Sequence, residues 1–249
     1  MSAPAVSVLM PCRNGAAHLT AAVASVQAQE VADWELIIAD DGSVDDSRDI
    51  ARALAAQDPR IRPLPALDTG PTGAAAARNR ALVQARGRYV AFLDCDDLWR
   101  PIKLGQQLAA MTATGAAFCC SAYAVHRPGR APRIRHVPAR MDRAALLRGN
   151  RVGCLTAIYD REALGAQPMP DIPLRHDYAL WLHLLTLTPH VIGVDTVLAD
   201  HHRRPGSLSG GLLRPTWATW TMLRSEAGLN RGAAGLALAR HLGGRLWRG

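Results

Sequence analysis

The chain has few aromatic residues, almost no lysine and no long apolar run. Its 249 residues include two phenylalanines and four tyrosines, and aromatics make up 5% of the total. Stacking platforms for bases are therefore scarce, no recognised DNA- or RNA-binding signature is present, and specific nucleic-acid binding is not expected. No apolar stretch reaches the ~20 residues needed to cross a bilayer; the longest, Gly115–Val125, reads as a strand. Five cysteines (Cys12, Cys95, Cys119, Cys120 and Cys154) show no CxxC pair and no Cys/His ligand spacing, which argues against a zinc site. Their odd number, with no basic segment and long apolar stretch at the N-terminus, points to reduced thiols and a cytoplasmic location.

What is present is arginine. Lys103 is the single lysine among 29 basic residues, which face 21 acidic ones. The resulting +8 is unevenly spread: residues 1–125 carry a net −2, residues 126–151 and 201–249 each carry +7, and residues 152–200 carry −4. A codon preference for arginine explains the choice of residue but not its placement. The 49% hydrophobic content is that of a globular chain, and the length suits one large domain, or one with an appendage.

The first 125 residues alternate two periodicities. Val6–Met10, Trp34–Ala39, Ile61–Leu64 and Tyr89–Leu93 read as short buried strands. Between and after them, Ala16–Gln29, Asp45–Ala56, Gly73–Arg86 and Pro101–Thr114 carry helical spacing, with Ser43 able to cap the second. Repeated βα units imply an α/β fold: a mostly parallel, Rossmann-like sheet with helices on both faces. Further on, Ala117–Val125, Val152–Tyr159 and Val191–Leu198 read as strands, His126–Arg151 as loop with a short helix, and Asp177–Leu187 as a helix with Trp181, Leu184 and Leu185 on one side. Arg214–Leu229 and Ala233–Trp247 read as C-terminal helices.

Acidic residues follow the strands. Asp40 and Asp41 come directly after the second, and Asp94, Asp96 and Asp97 after the fourth. In open parallel sheets, ligands bind beyond the carboxyl ends of the strands, so Pro11–Asn14, Asp40–Ser43 and Asp94–Asp97 are expected around one crevice. Two carboxylates one residue apart, with a third adjacent, suit Mg²⁺ or Mn²⁺, which takes one or two carboxylates plus substrate phosphates. Alone, Asp40–Ser43 reads better as a turn before a helix, and Asp94–Asp97 equally as a capped helix start; their placement at one edge favours a shared site.

Four segments, in order, carry a family likeness: VSVLMPCRN (Val6–Asn14), WELIIADDGSVDDS (Trp34–Ser47), GAAAARNRALVQARGRYVAFLDCDDLW (Gly73–Trp99) and RHDYALWL (Arg175–Leu182). Together they resemble the family 2 glycosyltransferases of GT-A fold, which transfer a sugar from a nucleotide-diphospho-sugar with inversion. The likeness runs from about Val6 to Ser209. It implies a GT-A domain over residues 1–210, with a nucleotide-binding half (1–115) and an acceptor-side half (116–210), and a helical appendage over 211–249.

The resemblance also implies roles. Asp94 and Asp96 match the DxD motif, so that Asp96 would bind the divalent metal on the diphosphate, with Asp94 at the ribose or metal and Cys95 between them. Asp41, with Asp40 beside it, would accept a hydrogen bond from the base, uracil first. Pro11, Arg13 and Asn14 would line the nucleotide, Arg13 standing where the family often has an aromatic. Arg78 of Ala77–Asn79 would lie near the phosphate or ribose. Asp177 would be the base that takes the proton of the acceptor hydroxyl, as inversion requires. Where the family often reads Glu-Asp, this chain has His176-Asp177, and the late YRxHxxSxS pattern reads HHRRPGSLS (His201–Ser209).

The implied partners are a nucleotide-diphospho-sugar, a UDP-sugar first, and a saccharide, lipid-linked saccharide or other hydroxyl acceptor in surface polysaccharide or glycolipid assembly. The altered motifs leave room for a weak or inactive member that only binds nucleotide-sugar, and the charge alone for a basic nucleic-acid binder. The basic C-terminus, with Leu236, Leu242, Leu246 and Trp247 among Arg240, Arg245 and Arg248, suits either a packed helix or peripheral contact with an anionic membrane.

Overall fold

The structure is a computed structural model that describes residues 3–67, 70–203 and 213–246. Its first half follows the βα alternation: β1 (Val6–Cys12), α1 (Leu19–Gln27), β2 (Trp34–Asp40), α2 (Ser47–Gln57), β3 (Ile61–Pro63), α3 (Ala74–Val83) and β4 (Tyr89–Phe92). β3, β2, β1 and β4 lie side by side and parallel, in that order. All seven residues of β1 and of β2 are buried, because the sheet is covered on both faces. Alternate residues go to opposite sides. Leu9, Ile37 and Phe92 join one apolar cluster, which takes in α3; Val8, Met10, Leu36 and Ile38 join the other, which takes in α1.

The second half differs from the sequence expectation in three ways. After β5 (Leu98–Trp99), α4 (Lys103–Thr114) and β6 (Phe118–Arg127), the arginine-rich stretch expected to be mainly loop turns back as β7 (Arg130–Arg135). β7 pairs antiparallel with β6 about the turn at Gly129. Exposed arginines and a proline had hidden this strand, and they are the residues that protect a sheet edge from pairing with other chains. Secondly, only the end of the expected Val152–Tyr159 strand forms one. After β8 (Arg140–Met141) and α5 (Arg143–Leu147), a single 3-10 turn (Cys154–Thr156) leads into β9 (Ile158–Asp160), which sits antiparallel between β4 and β6. Thirdly, after the short α6 (Arg161–Leu164), α7 (His176–Leu187) is buried on nearly every side rather than along one stripe. Trp181 sits edge-on to Phe92, with ring centroids 5.4 Å apart.

β10 (Val191–His202) runs parallel to β6 and completes the sheet with β5 antiparallel at its far side. The sheet is thus a parallel four-stranded half joined through β9 to a mixed half. The C-terminal helices are α8 (Leu213–Ser225) and α9 (Arg231–Leu246). Arg204, Ser207 and Ser209 of the late motif, and Trp247 and Arg248, lie outside the described residues, as do the side chains of Leu242, Arg245 and Leu246. Leu236 is exposed, whereas Ala234 and Ala237 of the same helix are buried. Among the described residues, no helix is long and apolar enough to cross a membrane.

Candidate active site

The ends of β1, β2 and β4 meet at one edge of the sheet, and the first three loops are stitched together there. Pro11 is buried in β1, and Arg13 and Asn14 are exposed just beyond it. Asn14 adopts a left-handed backbone (φ 51°), a region asparagine tolerates better than most residues. Its amide donates to Ser43 Oγ at 2.9 Å, and its Oδ1 accepts from the Val44 amide at 2.9 Å. Ser43, expected to cap α2, instead holds Asn14. The Asp40 carboxylate accepts from the Ser43 amide and pairs with Arg48 at 2.7 Å. Burial works against its charge, yet these donors bring its pKa below the ordinary carboxylate value. Asp41 is buried; it accepts from the amide and hydroxyl of Thr72 and from the Gly73 amide at 2.9 Å. It therefore fixes the entry to α3, and retains acceptor capacity beyond those three bonds.

Asp94 and Asp96 flank Cys95 in the turn after β4. Cys95 points inward and shares a hydrogen bond with Cys12, and this bond together with burial pushes its thiol pKa up. Gly15 lies against the pair: a Cβ there would come within 2.8 Å of Cys95 Sγ. Among the described residues, no group of three or more His, Cys, Asp or Glu side chains could enclose a metal. Asp94 and Asp96 offer oxygen donors only, an incomplete shell of the kind Mg²⁺ or Mn²⁺ accepts when phosphates and water supply the rest. Asp97, the third acid of the run, is spent elsewhere: it accepts from His201 Nδ1 at 3.0 Å and from the His202 amide at 2.9 Å, fixing the end of β10.

Beneath this edge lies Arg78, 3% exposed. One terminal nitrogen pairs with Asp94. The other lies 3.0 Å from His176 Nε2. Burial opposes the guanidinium charge, but Asp94, and more weakly Asp177, outweigh it, so the pKa is raised. An arginine only donates, so His176 Nε2 must accept. The imidazole is then neutral, with its Nδ1 proton directed at the Ile172 carbonyl 3.4 Å away. Burial likewise lowers its pKa. The residue standing where the family often has glutamate thus accepts from the buried arginine as a neutral imidazole.

Next to it, Asp177 stands in the first turn of α7. Arg175, just before the helix, has φ 70° and its Nε donates to Thr219 of α8 at 3.1 Å. The loop leading to α7 is pinned to α3 by Asn79, whose amide side chain donates to the Met169 carbonyl and accepts from the Met169 amide, both at 2.8 Å. The expected residues therefore fall into two layers. Arg13, Asp94, Asp96 and Asp177 retain exposure to solvent, whereas Asp40, Asp41 and Arg78 are buried and hold loops in place. The roles of Asn79, Asp97 and His201 in supporting the site had no signal in the sequence beyond lying within or next to the motifs.

Comparison with known proteins gives the family and the fold. The family model described as Glycosyl transferase family 2 matches residues 7–163. A protein named putative teichuronic acid biosynthesis glycosyltransferase TuaG, from Bacillus subtilis, is 37% identical over 223 residues, covering 89% of this chain and 88% of that one. Escherichia coli WfgD, named a UDP-Glc:alpha-D-GlcNAc-diphosphoundecaprenol beta-1,3-glucosyltransferase, is 36% identical over 72% of this chain and 69% of its own. The crystal structure of S. aureus TarS residues 1–349 with UDP-GlcNAc superposes with a TM-score of 0.72 at 18% identity, over 95% of this chain and 71% of that one. A Pyrobaculum calidifontis mannosyltransferase in complex with GDP-Man and Mn²⁺ gives 0.64 at 19% identity, over 99% and 84%. At such identities the structures speak for the fold alone, which is GT-A.

Proposed function

The chain belongs to glycosyl transferase family 2, and from that premise we propose that it moves a sugar from a UDP-sugar, with inversion, onto a hydroxyl of a lipid-linked saccharide during surface polysaccharide assembly. The observation that carries this reading is the Asp94–Arg78–His176 chain, which joins the end of β4 to the helix bearing Asp177. It ties a donor-side carboxylate and a candidate base into one rigid arrangement.

In this mechanism the acceptor oxygen forms a bond to the anomeric carbon while the bond from that carbon to the diphosphate breaks. Asp177 takes the acceptor's proton, and UDP leaves with the electron pair. Asp94 and Asp96 would hold a Mg²⁺ or Mn²⁺ ion, which supplies charge neutralisation for the diphosphate. Asp41 offers an acceptor to the base, and Arg13 a planar cation at the nucleotide's rim. The UDP preference and the lipid-linked acceptor are supported by the relative that is 36% identical, whose name specifies both.

The reading is tested by turnover of UDP-sugars with Mn²⁺ or Mg²⁺. Asp177→Asn is expected to lower kcat by roughly 10²–10⁴, the usual worth of a positioned general base, with UDP affinity retained. Asp96→Ala is expected to weaken UDP binding in the presence of metal and to abolish turnover. Full transfer by Asp177→Asn would remove that residue as the base, and UDP binding without turnover of any donor would leave only a binding protein.

A further inference from the structure

Beside α7 lies an apolar groove of about 410 Å³ that the reaction described above does not use. One wall is Ile172, Pro173 and Leu174, and the other is Trp217, Thr221 and Met222 on one face of α8. Trp217 is 71% exposed, an indole left in water at the rim, while Met222 is buried at the floor. An indole with one side on apolar lining and the other in water suits a site that an apolar ligand can enter. The volume is that of a site for a slender ligand and falls short of a protein interface.

We propose that this groove receives the isoprenoid chain of a polyprenyl-diphosphate-linked acceptor; the inference rests on the glycosyltransferase reading for its chemistry. The argument is one of order. Along the chain, the apolar wall ends at Leu174, the cation Arg175 follows, then His176, then Asp177. Leu174 to Asp177 spans three residues, at most about 11 Å of backbone. Such an acceptor has the same order: an apolar chain, an anionic diphosphate, then the sugar whose hydroxyl must reach the base. Seating the chain in the groove puts its diphosphate beside Arg175 and its saccharide towards Asp177. The two walls are also held in register, because Arg175 Nε donates to Thr219 between Trp217 and Thr221. Filling the groove would therefore bear directly on the start of the helix that carries the base.

The test uses the full chain and a diazirine-bearing farnesyl diphosphate. Photolabelling is expected within residues 172–174 or 217–222, competed by excess unmodified farnesyl diphosphate but not by inorganic diphosphate. It should fall at least about fivefold in Trp217→Ser and in Leu174→Ser. Labelling needs no turnover, so an inactive protein that labels there overturns the enzymatic reading and not the groove. In active protein, the preference in kcat/KM for a prenyl-linked over a lipid-free saccharide should drop about tenfold in Trp217→Ser, equivalent to ~1.4 kcal/mol. Labelling elsewhere, or an equal loss with both acceptors, overturns the proposal. So does loss of flotation on phosphatidylglycerol vesicles with labelling intact elsewhere, which would make the groove a membrane contact.

Discussion

A buried arginine needs partners that it cannot exchange for water, and the two polar ones of Arg78 come from the turn after β4 and from α7. The Asp94 contact is an ion pair; the His176 contact exists only while that imidazole is neutral. His176→Gln would keep an acceptor for Arg78, whereas His176→Phe would remove it and strand a buried donor, at a cost of roughly 1–3 kcal/mol. If His176 positions Asp177 through Arg78, kcat should fall about 10–100-fold in the Phe variant and be largely rescued in the Gln variant, with the KM for the UDP-sugar little changed. A purely structural residue would show no such rescue in kcat at matched stability. The pH dependence follows from the same contact. The folded-state pKa of His176 lies below its ordinary value of 6.5, so on acidification the unfolded chain takes up the proton first. That linkage makes the protein lose stability as pH falls through this range. His201, raised by Asp97 against the effect of burial, acts in the opposite sense: its contribution is present at low pH and is lost as pH rises through its elevated pKa. Urea titrations across pH should show His176→Gln flattening the acid limb and His201→Gln the alkaline one.

At the scale of elements, spacing revealed what is regular and missed what depends on contacts. The four parallel strands and the helices after them were legible because burial on both faces leaves uninterrupted apolar runs. β7 was not, because its residues answer to an exposed edge and not to a core. The first-half carboxylates could be placed at one edge, since strand ends share it, but which of them are exposed could not. Asp41 and Asp97 both accept from backbone amides that lie far along the chain. Lys103 is the clearest case: nothing in its sequence context marks it as a core residue, yet it is fully buried, with its Nζ 4.0 Å from the Trp99 ring centroid and burial holding its pKa down to about 7. Glycines show the same dependence on contact. In β10, a Cβ on Gly193 would stand 2.1 Å from the Pro138 carbonyl oxygen. Backbone would press on backbone, and Gly193→Ala should cost roughly 1–3 kcal/mol, as overpacking does. In α4, a Cβ on Gly105 would meet only Val31, at 3.8 Å, and Gly105→Ala should gain about 0.5–1 kcal/mol from helix propensity. Shifts of opposite sign in urea midpoints would check both; equal shifts would mean that the 138–193 approach can open without cost.

For the whole molecule, the +8 charge has a distribution that the fold makes meaningful. The negative stretches contain the strand-end carboxylates and Asp177, whereas the arginines of residues 126–151 run from the end of β6 through β7, β8 and α5 to the loop after it. Arg127, Arg130 and Arg133 lie exposed on the β6–β7 hairpin. Such a patch attracts any anionic surface, through a field that salt screens over about 8–10 Å. Sequence-specific nucleic-acid binding would need groove-reading or stacking side chains, which 5% aromatics do not supply. A membrane rich in anionic lipid asks only for charge, about 1 kcal/mol for each arginine near the surface. Retention of the full chain on phosphatidylglycerol vesicles is therefore expected at low salt and should fall steeply as salt is raised. Arg130→Glu with Arg133→Glu should weaken it by roughly 10–100-fold through the loss of two such contacts, while leaving UDP affinity and photolabelling of the Trp217 groove unchanged. Vesicle binding that resists salt, or survives the double reversal, would mean that an apolar contact and not the hairpin charge holds the protein at an anionic membrane.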